Sequence, residues 1–174
     1  LQAASWNGHK EILQILMDAK AEVDAQSGHS GNALQAASLR GHKEVVKILI
    51  DAKADVNAQG GHFGNALQAA SLRGHKEVVK ILIDAKADVN AQGGHFGNAL
   101  QAASFGGHKE IVQTLIDAKA AVNAQGGHFG NALQAASLRG HKEVVKILID
   151  VEADVNAQGG YFGNALQAAS SGGH

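Results

Sequence analysis

Residues 65–97, NALQAASLRGHKEVVKILIDAKADVNAQGGHFG, decide the fold, because nearly the same stretch recurs along the whole chain. The string LQAAS begins at Leu1 and returns at equal intervals, at Leu34, Leu67, Leu100, Leu133 and Leu166. A fixed period of about 20 to 50 residues indicates a solenoid, in which each unit buries its apolar face against its neighbours. The 174 residues therefore form a single array, whose repeats are 1–33, 34–66, 67–99, 100–132 and 133–165, with a partial repeat at 166–174.

Each repeat is predicted to contain two helices and a loop. Asn65 is a good N-cap, and Gln68 can return the hydrogen bond to its backbone, so a short helix is predicted over residues 66–73. A second helix with a broad apolar surface is predicted over about residues 75–85. Residues 86–97 contain one helix breaker after another, which favours an extended loop or hairpin that leads to the next repeat.

Residues 74–92, GHKEVVKILIDAKADVNAQ, resemble one half of the ankyrin repeat in sequence, period and element order, and the resemblance covers the whole chain. It implies an all-α, ankyrin-type solenoid of stacked helix-turn-helix repeats joined by β-hairpin-like loops. The other half departs from the family pattern, since NALQ stands where ankyrin repeats usually have TPLH. Lysine also replaces the usual glycine after the second helix, at Lys53, Lys86 and Lys119, and a left-handed residue other than glycine costs on the order of 1 kcal/mol there.

The GNALQAAS signature resembles that of one particular group of ankyrin arrays. It is similar to ankyrin arrays in large fungal proteins related to NACHT-type signalling ATPases of the STAND class, in which the repeats form the sensing end. The chain also lacks an initiator methionine and starts inside a repeat, so we expect a fragment of a longer array. The resemblance implies a sensor or scaffold that binds a protein partner, whose identity the sequence does not specify.

Composition argues against several other classes of function. The formal charge of −1, from 15 basic and 16 acidic residues, gives no basic footprint for nucleic acid. The absence of cysteine excludes disulfides and thiolate zinc sites and fits a cytoplasmic, intracellular protein. Since no apolar run approaches the roughly 20 residues of a membrane span, no membrane association is expected.

The five repeats differ at 14 of their 33 positions, and most of the changes are conservative core swaps. The two positions after LQAAS change in chemistry. Leu39 lies about 140° around its helix from Leu34, so it points away from the packed side. In the ankyrin architecture this helix end faces the concave groove, and apolar and aromatic residues flanked by arginine suit an interface core. The predicted partner-binding residues here are Trp6, Asn7, Leu39, Arg40, Leu72, Arg73, Phe105, Leu138 and Arg139.

A structural alternative is that this row caps the turn between helices or packs against the adjacent repeat. The hairpin tips would extend the row, because ankyrin arrays often contact partners there. The predicted tip residues are His29, His62, His95, His128 and Tyr161, each followed by phenylalanine except at Ser30. These phenylalanines are expected to fasten each hairpin to the following helix, with partner contact as the alternative. Because two of the repeats are identical, recognition should depend mainly on Trp6, Phe105 and Tyr161, or on avidity.

The ten histidines form two ladders, one in the GHK motif and one at the hairpin tips. Packed helices are about 8 to 10 Å apart, whereas zinc ligands lie about 2 Å from the metal, so neighbouring rungs are not expected to share an ion. The GHK histidines are expected to be structural hydrogen-bonding residues at the start of the second helix. Exposed hairpin imidazoles titrate near pH 6.5, so binding can vary with pH.

No catalytic function and no cofactor are expected. Candidate nucleophiles such as Ser38 and Ser71 recur in every repeat at a packing position, and the Gly60-Gly61 pair lacks the lysine of a phosphate-binding loop. A second hypothesis is structural self-association. Both ends of the chain are expected to present an unmatched apolar face, and uncapped solenoids associate head to tail.

Overall fold

The computed structural model describes residues 1–26 and 28–174, which contain eleven helices and no strand. A short first helix and a longer second helix alternate along the chain, which confirms the predicted all-α array of ankyrin type. The first helices are α1 (Gln2–Trp6), α3 (Ala33–Arg40), α5 (Ala66–Arg73), α7 (Ala99–Gly106), α9 (Ala132–Leu138) and α11 (Ala165–Gly172). The second helices are α2 (Lys10–Asp18), α4 (Lys43–Asp51), α6 (Lys76–Asp84), α8 (Lys109–Asp117) and α10 (Lys142–Asp150).

The first helices other than α1 begin at the capping box that the sequence predicts. The Oδ1 of Asn65 accepts the Gln68 backbone N–H at 2.9 Å, and the Oε1 of Gln68 accepts the Asn65 backbone N–H at 2.7 Å. Helix α5 then ends at Gly74, whose φ of 79° is in the left-handed region that favours glycine. The predicted bounds of this helix, residues 66–73, are those of α5.

The second helix is one residue shorter at each end than predicted, because His75 and Ala85 are its caps rather than members of the helix. It is followed by the left-handed residue that the sequence indicates, with a φ of 68° at Lys86. The N–H groups of Lys86 and Ala87 donate to carbonyls of α6 at 2.9 Å, so the turn is held by the helix itself. Left-handed residues occupy the same position in the other repeats, at Lys20, Lys53, Lys119 and Glu152.

Four of the loops each close as a very short hairpin. Gly93 and Gly97 form an isolated antiparallel bridge, in which the N–H of Gly93 donates to the Gly97 carbonyl at 2.7 Å. The side-chain amide of Gln68 donates to the same carbonyl at 2.7 Å. Neighbouring hairpins are linked through the backbone, since the N–H of His95 donates to the His62 carbonyl at 2.9 Å. The hairpins therefore form a continuous ladder along one side of the array.

A continuous apolar core of leucine, valine and alanine runs through all the repeats and is represented by the fully buried Leu67, Val79 and Leu82. Adjacent first helices pack more closely than adjacent second helices. We call the exposed ends of the first helices and the hairpin tips the inner face. No helix in the described ranges is long and apolar enough to cross a membrane.

Candidate functional site

The predicted row, which consists of the two residues that follow LQAAS in each repeat, lies where the first helices end, on the inner face. Trp6, Leu72, Phe105 and Leu138 are half-buried. The position that follows is exposed at Asn7, Arg40, Arg73 and Arg139. Leu39 differs from the other members, because it is only 3% exposed and so is not accessible to a partner in this structure.

The row packs against the hairpins through a second apolar cluster. Phe96 and Phe129 are 7% and 6% exposed, and they lie with Ala102 and Ala135 against Leu72, Phe105 and Leu138. The rings of Phe105 and Phe129 are 4.6 Å apart between centroids. The hairpin phenylalanines therefore fasten each hairpin to the first helices, as expected. The row residues share one side with this cluster and leave the other side accessible.

Two arginines stack on the aromatic member of the preceding repeat. The guanidinium carbon of Arg40 lies 5.1 Å from the centroid of the Trp6 ring, and that of Arg139 lies 4.9 Å from the centroid of Phe105. Such cation–π contacts contribute about 0.5–1 kcal/mol at exposed sites. In each pair the arginine follows the aromatic residue by one repeat period plus one position, which is the signal that sequence reasoning missed.

Shallow depressions lie beside both of these stacked pairs. One has a volume of about 290 Å³ and is lined by Trp6, Asn7 and His29 among others. Another, of about 520 Å³, is lined by Phe105 and Arg139 among others. The structure thus brings the first-helix row and the hairpin tips together at one end of the inner face.

The hairpin histidines are closer together than the helix spacing predicts. The imidazole rings of His29 and His62 are stacked at 4.8 Å, and the rings from His62 to His95 and from His95 to His128 at 5.0 Å. Tyr161 continues the stack at 5.1 Å from His128. The helix-packing distance assumed for this ladder was wrong, because the hairpins are joined by direct backbone hydrogen bonds rather than by helix packing.

The exposure of the ladder changes along its length. His29, His62 and His128 are exposed and Tyr161 is 76% exposed, whereas His95 is half-buried. Burial lowers the pKa of His95, and the neighbouring His62 and His128 lower it further. In the described ranges no three or more histidine, aspartate or glutamate side chains are grouped so that they would hold a metal ion.

The GHK histidines join successive repeats, which confirms their predicted structural role. The Nε2 of His75 lies 3.1 Å from the Leu39 carbonyl oxygen and donates to it, and His42, His108 and His141 make the equivalent contact with the carbonyls of Trp6, Leu72 and Phe105. Burial lowers the pKa of His75, although the bond to the Leu39 carbonyl acts in the opposite direction. The lowered pKa favours the neutral imidazole, which keeps one N–H to donate to the Leu39 carbonyl.

Comparison with known proteins agrees with this geometry. The family model described as Ankyrin repeats (3 copies) matches residues 1–93 and 92–159. A comparison with curated proteins found no match.

Proposed function

Because the chain belongs to the ankyrin-repeat family, whose fold is a non-catalytic protein–protein interaction module, we propose that it binds a protein partner through its inner face. We propose no enzymatic role for it. The observation that carries the proposal is the placement of the residue types that dominate protein interfaces. Trp6, Phe105 and Tyr161, which are not buried, and all three arginines of the chain fall on the first helices, at a C-cap or at a hairpin tip, and the second helices have no aromatic residue and no arginine.

These side chains also account for the differences between the repeats on the inner face. Trp6 and Phe105 replace leucine, and Tyr161 replaces histidine, over a scaffold in which 19 of the 33 positions are constant. A partner that contacts several repeats would therefore meet different side chains on different repeats, and these differences would determine at which repeats it binds. Leu39 is left out of the proposed contact surface because it is buried.

The test exchanges Leu72, Phe105 and Leu138 together for serine and measures the capture of proteins from a cell extract. We expect the helical circular dichroism to persist and the specific capture to disappear. The matched control removes three exposed isoleucines of the second helices, Ile12, Ile15 and Ile149, also by serine. Equal capture by the wild type and the inner-face variant, with loss in the control, would show that the partner binds elsewhere.

Head-to-tail self-association of residues 1–174 taken alone is a second candidate, because apolar side chains are then exposed in the first and last repeats. Leu166 is 76% exposed, whereas the equivalent Leu100 is 1% exposed between repeats. Ile12 and Ile15 of α2 are 50% and 63% exposed at the other end. Association through such ends does not close and would give growing assemblies. Light scattering over a concentration series tests this, and a mass that stays monomeric at every concentration refutes it.

We further propose that the array is the sensor or scaffold part of a larger intracellular protein of the fungal NACHT-related type. The support is the GNALQAAS signature, which recurs at each repeat boundary from residue 31 onward. The full reading frame tests this assignment. A neighbouring ATPase domain is the expected result, and an open reading frame that consists of repeats alone would contradict it.

A further inference from the structure

The charges of this chain are segregated within each repeat. All 16 acidic residues lie in the second helices or in the loop just after them, as Glu77, Asp84 and Asp88 do in the third repeat. All 12 lysines occupy the same part of the repeat. The hairpin tips and first helices contain no acid and no lysine, so their only permanently charged side chains are Arg40, Arg73 and Arg139.

The net charge of −1 therefore conceals an inner face with a charge of +3. The three arginines that supply this charge are exposed and make no ion pair among the described residues. The ion pairs found among the described residues all join a lysine to a glutamate within a second helix. Arginine side chains left without an acid on their own face are available to an external carboxylate.

Contact with an aromatic ring positions two of these arginines to bind a carboxylate. The guanidinium carbon of Arg40 lies over the Trp6 ring, 5.1 Å from its centroid, and that of Arg139 lies over the Phe105 ring, 4.9 Å from its centroid. The N–H groups of a guanidinium lie in its plane, so stacking leaves them free to donate two parallel hydrogen bonds to a carboxylate. Holding the side chain over a ring also lowers the entropy lost when it binds.

We propose that the inner face binds an acidic segment of its protein partner, whose carboxylates pair with Arg40, Arg73 and Arg139 beside the apolar row. This inference rests on the proposed function, because it specifies the chemistry of the partner that the inner face binds. Arg40 and Arg73 lie on adjacent repeats, whereas Gly106 leaves a gap before Arg139. The acidic residues of the segment are therefore expected in two groups separated by an apolar stretch that faces Phe105.

A protein segment fits this surface better than nucleic acid does. Duplex DNA carries one charge per about 1.7 Å of axis, and its binding rests on many basic side chains, of which the inner face has three. Single strands are held by bases stacked on open aromatic rings. Here Phe96 and Phe129 are buried and one arginine lies over each of the Trp6 and Phe105 rings, so Tyr161 is the only aromatic side chain in the described ranges that is largely exposed.

The histidine ladder adds to this charge below neutral pH. The rings in contact with His62 are those of His29, His95, Phe63 and Phe96, and no histidine in the described ranges forms an ion pair with a carboxylate. His128 is likewise surrounded by His95, Tyr161 and phenylalanine rings. Protonation of these imidazoles is thus not neutralised within the array, and an acidic segment would bind more tightly as they gain charge.

The test is the selection of random dodecapeptides on the immobilised wild-type chain, followed by measurement of Kd for the enriched sequences. We expect the enriched peptides to be acidic and to contain apolar residues. Exchange of the three arginines for glutamine should weaken their binding at least about tenfold. The matched control changes Lys47, Lys80 and Lys146 to glutamine, which removes the same charge from the second helices and should leave Kd within about twofold.

The outcomes separate this inference from the proposed function. Enrichment of neutral or basic peptides that still lose binding when Leu72 and Leu138 become serine would refute the acidic partner and leave the inner face as a binding site. Acidic peptides that lose binding in the lysine variant instead of the arginine variant would also refute it. If no enriched peptide depends on the inner face, the proposed function itself fails.

Two further measurements complete the test. If a single-stranded oligonucleotide binds the inner face as tightly as the enriched peptides do, the partner is a nucleic acid rather than a protein, and the inference is overturned. Lowering the pH from 7.5 to 6.0 should tighten peptide binding, and His62→Gln together with His128→Gln should reduce that gain. Peptide binding that weakens between pH 7.5 and 6.0, with circular dichroism unchanged, would contradict the acidic segment.

Discussion

Replacing Gln68 by methionine tests the polar contacts that couple each first helix to the hairpin after it. The side chain of Gln68 is buried, accepts the Asn65 N–H at 2.7 Å and donates to the Gly97 carbonyl at 2.7 Å. Methionine has a similar volume but makes neither bond. A buried polar group left without its partner costs about 1–3 kcal/mol, so the loss of both bonds should destabilise the array by about 2–4 kcal/mol.

A matched control lies three residues further along the same helix. Ser71 is as buried as Gln68, yet its Oγ has no hydrogen-bond partner among the described residues. Ser71→Ala removes an unsatisfied hydroxyl and raises helix propensity, so it should be neutral or stabilise by up to about 1 kcal/mol. Urea unfolding followed by circular dichroism at 222 nm measures both variants. Equal midpoints for the two variants, or a Gln68→Met midpoint equal to the wild type, would refute the assigned role of the amide.

Three further predictions concern stability. Lys86→Gly should raise the free energy of unfolding by about 0.5–1 kcal/mol. Glycine removes the strain of the left-handed backbone, and this gain is partly offset because glycine also makes the unfolded chain more flexible. An unchanged urea midpoint would contradict this prediction. Phe129→Ala should cost about 3 kcal/mol, whereas Tyr161→Ala, at an exposed tip, should change stability by less than about 0.5 kcal/mol, and similar midpoints would contradict the fastening role of Phe129. The pKa values of His75 and His95 are lowered in the folded chain, so below pH 6.5 the unfolded chain binds more protons. The urea midpoint should therefore be constant above about pH 7 and fall as the pH is lowered to 5.5. A midpoint that rises as the pH is lowered from 7 to 5.5 would contradict the assigned burial of His75 and His95.

The repeat period and the capping residues were enough to predict most of the fold. The bounds of α5 follow from Asn65 and Gln68 at one end and Gly74 at the other, because these residues act on the backbone within one turn. The left-handed residue at Lys86 could be predicted because the family pattern has glycine there. Local signals of this kind need no knowledge of the packing between repeats.

The candidate site was harder to predict, because it depends on contacts one repeat away. A helical projection places Leu39 and Leu72 at the same angle, yet Leu39 is buried and Leu72 is half-buried, since the repeats beside them differ. The spacing of the hairpin histidines is set by backbone bonds between loops, which no helix-packing distance describes. The stacking of Arg40 on Trp6 likewise requires the relative position of two repeats.

The central claim, that variation on the inner face confers recognition while the rest of the array supports it, can be tested with substitutions drawn from the chain's own repeats. One variant makes the inner face more uniform through Trp6→Leu, Phe105→Leu and Tyr161→His. A control makes the second helices more uniform through Leu13→Val, Gln113→Lys and Thr114→Ile. Each new residue already occupies the equivalent position of another repeat, so both variants should fold.

The measurement is the Kd of a peptide selected on the wild-type chain, determined for the wild type and both variants. The inner-face variant should bind at least about tenfold more weakly, because aromatic side chains at an interface core dominate affinity. The control should bind as the wild type does. An unchanged Kd for the inner-face variant, together with weaker binding by the control, would contradict the account.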